Sequence, residues 1–176
     1  MAEYRLADAD VTALMNELKH KNHQDLEKCG VRIVCMFAHA PRDENTGEPK
    51  GPALKKDGWP AAALCRINSQ KLRVQGCADA VIEIDGDTWP DRPPAEQEAL
   101  IDHELQHVKL KLDMNDNVRL DGCNRPKLRL QPHDWQLGGF TEIAARHGTA
   151  AIEVQSAQAA YMAVRQALPM LKEVEA

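Results

Sequence analysis

Val11, Leu14, Met15, Leu18 and Leu26 recur at near-helical spacing, and Gly30 follows them. That pattern predicts a helix over residues 8–28. The run VRIVCMF (31–37) is β-branched and apolar, as a buried strand requires. Residues 41–60, with PRDENTGEPKGP and KKDGWP, are punctuated by Pro and Gly and read as loop. The AAALCRI segment in 61–75 suits either a strand or the start of a helix. DAVIEID (79–85) alternates and predicts a second strand. After the turn-rich GDTWPDRPP, Pro94 and Ala95 open a helix over about 95–111, with Ala99, Leu100, Leu105 and Val108 on its buried side. Residues 113–125 read as polar loop and 126–131 as a short extended piece before Pro132. A helix from Asp134 to His147 is stopped by Gly148. The Ala-rich stretch 150–172 reads as a last helix, interrupted near Pro169. Interspersed helices and strands in 176 residues predict one α+β domain spanning 1–176.

Composition adds little to that outline. Apolar residues make up 43% and aromatics 4%, so the core rests on Leu, Ile, Val, Ala and Met. No apolar run is long enough for a membrane span, and the acidic, mixed N-terminus does not resemble a secretory signal. Five widely spaced cysteines without a CxxC pair argue against a disulfide framework or a cysteine zinc knuckle and suit a reducing cytosol. A net charge of −5 argues against a dedicated nucleic-acid binder. Two basic stretches run the other way: Lys50, Lys55, Lys56, Arg66, Lys71 and Arg73 in one, Arg119, Arg125, Lys127 and Arg129 in the other. Without interleaved aromatics they make a nucleic-acid or acidic-partner face the lesser reading.

The chemistry concentrates in ALIDHELQHVKL (99–110). Residues four apart on a helix share a face, so His103 and His107 can offer imidazole nitrogens to one metal ion. Glu104, beside the first of them, is placed to reach a water on that metal and act as general base. Chance arrangement of the same residues would produce this spacing about 0.02 times in such a chain, which favours the site over two histidines on a solvated helix. A catalytic zinc takes three protein ligands and keeps one position open. The third has three candidates. Asp113 stands where an extended HExxHxxGxxH pattern would place a ligand, but Leu110 replaces the glycine of its turn. Glu142 lies on the following predicted helix. His133 lies just before that helix and has the commonest zinc-binding side chain, so the choice falls on His133. Asp134 then reads as the helix cap. Gly138 and Gly139, inside the predicted helix, imply that it packs closely against the HExxH helix.

At ALIDHELQHVKL, RPKLRLQPHDWQLGGF (125–140) and IAARHG (143–148) the chain resembles the putative phage metallopeptidase family, a group of minimal zincins. More distantly it is similar to the SprT-like proteases. The resemblance implies a zincin-like α+β fold with His103, His107 and His133 as zinc ligands and Glu104 as base, acting on a protein or peptide substrate. It implies no particular substrate. A non-catalytic, metal-stabilised binding module and a zinc hydrolase of non-peptide amides are the rival readings. Among the remaining residues, His147 reads as a helix-end cation beside Gly148. His20 and His23 read as solvated, His39 as a strand-end residue, and Tyr161 as an ordinary helix residue. The 79–85 strand is the expected partner for an extended substrate backbone.

Overall fold

The computed structural model describes residues 2–133 and 139–173, with side chains to residue 162. The chain divides into two compact units, residues 1–132 and 133–176. The first opens on strand β1 (Glu3–Leu6), followed by helix α1 (Ala9–Asn22) and the short helix α2 (Gln24–Lys28). β1 was not foreseen, because its polar-apolar alternation runs for only four residues and all four are exposed. The predicted 8–28 helix is two helices, broken at His23 with φ −128° and ψ 53°. His23 is not solvated: it is 2% exposed, and its Nε2 lies 2.6 Å from Oδ1 of the fully buried Asp102. A tertiary pair therefore sets the break, while His20 stays at the surface.

Next come β2 (Ile33–His39), the hairpin of β3 (Lys55–Lys56) and β4 (Trp59–Pro60), and β5 (Ala63–Ile67). His39 does end a strand. The loop region thus holds a tight hairpin, turned by Asp57 and Gly58 at φ 52° and 89°. The ambiguous 61–75 segment is strand and then helix α3 (Gln70–Val74), started by Ser69, whose hydroxyl accepts from the Leu72 amide. β6 (Ala80–Asp85) completes a sheet ordered β1-β2-β6-β5, in which β2 and β6 are parallel and the other pairs antiparallel. β6 is hydrogen-bonded on both sides, so it has no free edge for a substrate, contrary to expectation. The outer strand next to it is β5.

Helix α4 (Pro94–His107) is buried continuously from Ala99 to Gln106. Ile101 and Leu105 pack with Met15 and Leu18 of α1, Cys35 and Phe37 of β2 and Ile82 and Ile84 of β6. The helix stops at His107 rather than continuing to 111, because Val108-Lys-Leu switches to a two-residue period. β7 (Val108–Leu110) pairs antiparallel with β8 (Leu128–Leu130), and bridges at Leu112–Val118 and Leu120–Pro126 extend the ladder. The expected polar loop is therefore the folded middle of a ribbon.

The second unit contains α5 (Thr141–His147) and α6 (Ile152–Glu173) around Phe140, Ile143 and Ala151. α5 begins after Gly139 and Phe140, and residues 134–138 of the predicted helix, with Asp134 and Gly138, lie outside the described residues. Gly139 precedes α5 instead of lying in it. A Cβ there would meet Cγ of Glu153, whose buried carboxylate accepts from the Phe140 amide at 3.2 Å. α6 runs through Pro169 without a break, forgoing the hydrogen bond its nitrogen cannot donate. The helices and strands together make an α+β fold. No helix among the described residues is long and apolar enough to cross a membrane.

Candidate metal centre

The last turn of α4 brings His103 and His107 together, with ring centroids 5.1 Å apart and planes at 75°. His103 and Glu104 are 5% and 4% exposed, while His107 is half-buried. Glu104 is enclosed together with the buried polar side chains of Asp102, His103 and Gln106, and such groups persist in a core only where charge or hydrogen bonds offset the loss of water.

His107 is held by the strand that returns beside it. Its Nδ1 lies 2.7 Å from the carbonyl oxygen of Gln131, and the Gln131 amide donates to the His107 carbonyl at 2.7 Å. A carbonyl only accepts, so Nδ1 carries the proton and Nε2 is left with its lone pair for a metal. Sequence reasoning missed Gln131, because the orienting atom belongs to the backbone and any residue could supply it.

The residue before the first histidine anchors the opposite side. Asp102 accepts from Asn22 Nδ2 at 3.0 Å as well as facing His23 Nε2. Both contacts reach from the α1–α2 junction, so they tie the rotation of α4 to the helix layer beneath it. Behind α4, Cys65 of β5 has its thiol pKa pushed up by burial, and further by the charge of Glu104.

His133 directly follows Pro132, two residues beyond Gln131. Nitrogens of His103, His107 and His133 lie within 4.8 Å of one another, a group that could hold a metal ion. Three imidazoles are a donor set that suits a divalent transition-metal ion.

The two other candidates for third ligand are not in this group. Asp113 is exposed, and its Oδ1 accepts from the amides of Asn115 and Asn117 at 2.8 and 3.0 Å, so it closes its own turn. Glu142 is exposed and bonds Arg146 one helical turn away at 3.2 Å. His147 is the last residue of α5, and Tyr161 is 65% exposed on α6. No curated protein and no solved structure matches the chain. The family described as Putative phage metallopeptidase matches residues 3–163, nearly the whole length, including the HExxH helix and His133, and the chain belongs to that family.

Proposed function

We infer that the protein is a zinc-dependent peptidase of zincin-like architecture, working in the cytoplasm of a phage-infected or lysogenic bacterium. The observation that carries this reading is the convergence of three histidines beside the buried Glu104. The family, a metallopeptidase family by description, supports the same class of chemistry.

His103, His107 and His133 would hold the ion, which when bound polarises the scissile carbonyl and acidifies the attacking water. Glu104 takes a proton from that water as its oxygen bonds to the carbonyl carbon. As the C–N bond breaks, Glu104 returns the proton to the departing nitrogen, so that a carboxylic acid and an amine result. The Gln131 carbonyl keeps the donor nitrogen of His107 aimed, and Asp102 with His23 keeps α4 from rotating.

The test uses Glu104→Gln. The variant should retain one zinc per chain and lose peptide cleavage by ~10²–10⁴-fold, the usual worth of a general base. A zinc-loaded parent protein that cleaves no peptide, with Glu104→Gln unchanged in zinc content, would instead favour a metal-stabilised binding module.

A further inference from the structure

The ribbon that leaves α4 at Val108 and returns to Gln131 has an alternation that the function above does not use. Basic residues stand at 109, 111, 119, 127 and 129, and apolar ones at 110, 112, 118, 120, 128 and 130. The register turns this into two faces. Lys109 lies opposite Arg129, and Lys111 and Lys127, each two residues further along, share their side. The amide of Lys111 donates to Lys127, that of Lys127 to Arg119, and that of Arg119 back to Lys111, at 2.8, 2.7 and 2.9 Å. This closed cycle gathers cations from three chain segments. On the apolar side Leu110 and Leu128 pack with Leu26 and Val31, while Leu112, Leu120 and Leu130 are 47%, 48% and 46% exposed.

Of the five cations, Lys109 donates to Gln106 Oε1 at 3.3 Å, and the other four reach solvent. Lys111, Arg119 and Arg129 are exposed, and Lys127 is half-buried. Among the described residues none of these four is in a salt bridge. The other arginines of the basic stretches behave differently. Arg73 and Arg125 form buried ion pairs with Asp79, and Arg66 pairs with Glu83. A structural account exists for those and for Lys109, and none for Lys111, Arg119, Lys127 and Arg129. Like charges directly across a strand pair destabilise it, so this face costs folding free energy that a ligand would recover.

We propose that this face binds the phosphate backbone of double-stranded DNA, without sequence preference. Concentrating cations in a chain of net charge −5 is the charge complementarity such a backbone demands. No aromatic residue lies between 109 and 131, so the stacking by which proteins grip single strands is absent from the ribbon. The backbone groups of Lys111, Arg119 and Lys127 bond one another, so at the centre of the face they are not on offer to an added peptide strand. Phosphates need only the side chains.

The experiment titrates a fluorescent duplex of arbitrary sequence with the full chain at 50 to 200 mM salt. Five contacts predict that affinity falls on the order of 500-fold over that range. The triple variant K111Q/R119Q/K127Q, checked for folding by circular dichroism, should cut the fall to roughly 10-fold. The single variants R129Q and K127Q should each flatten the salt dependence by a smaller step, so the test survives if the triple variant misfolds. K55Q/K56Q, on the β3–β4 hairpin, should bind as the parent does. Glu104→Gln should also bind unchanged, so this test and that of peptidase activity fail separately. Absence of binding at 50 mM salt overturns the proposal, as does binding whose salt dependence ignores the ribbon variants. Competition by poly-glutamate as effective as that by unlabelled duplex would assign the face to an acidic polypeptide and overturn it too.

Discussion

Side chains one residue apart have unlike tasks in ID-HE (101–104). Ile101 fills the core, Asp102 meets His23 and Asn22, His103 faces His107, and Glu104 is buried beside that pair. The helical period separates them around the axis by about 100° each. The proposed choice of His133 as third ligand is tested at this scale. His133→Ala should weaken zinc binding by at least 10-fold in competition with a chelating dye, while Asp113→Ala and Glu142→Ala should leave it within about 2-fold. The HExxH pair was readable because its spacing is local. That His133 comes near this pair was an expectation from its residue type, its place in the chain and the resemblance, and the contact of Gln131 was not legible at all. Thiol chemistry offers an independent check of burial. Burial pushes the Cys35 thiol up to about 12, whereas Cys77 is exposed. A thiol reagent at pH 8 should modify Cys77 rapidly and reach Cys35 only on unfolding, as peptide mapping would show.

At the scale of elements, several boundaries depend on a contact from elsewhere in the chain. α1 ends at His23 because the imidazole is taken by Asp102, some eighty residues on. His23→Ala should cost about 3 kcal/mol in chemical denaturation, since it leaves a buried carboxylate short of a partner. Gly139 is required by a side chain of α6. Gly139→Ala should destabilise the second unit by about 2 kcal/mol through overpacking against Glu153, measurable by thermal melting.

The ribbon's turns are built on two carboxylates. The amides of Asn117 and Asn115 hold the Asp113 carboxyl below its ordinary range. For Asp121, burial pushes upward but is outweighed by the amides of Arg125 and Cys123 and by the Arg73 and Arg125 guanidinia, and the net shift is downward. Both folded-state values lie below the unfolded value of about 3.9. Their stabilisation is therefore full above that pH and lost as pH falls through the folded values. Hydrogen exchange at Asn115, Cys123 and Arg125 should accelerate on acidification below about pH 4, and Asp121→Asn should weaken that dependence.

For the whole molecule, the proposed zinc site predicts linkage between zinc and stability. Zinc at a hundred times its dissociation constant would contribute about 2.7 kcal/mol. Chelation should then lower the melting temperature by about 8 °C for a chain of this size, and His103→Ala should abolish that difference. The α+β class, the strands at 31–37 and 79–85 and the HExxH helix followed from the sequence alone. Each is specified by neighbours within a turn or a few residues, through periodicity, capping or β-branching. The tertiary structure alone decided the exposed edge strand β1, the break at His23, the meeting of His133 with the α4 histidines and the two faces of the 108–131 ribbon. Those features rest on partners distant in sequence, and local pattern carries no information about which distant group will arrive.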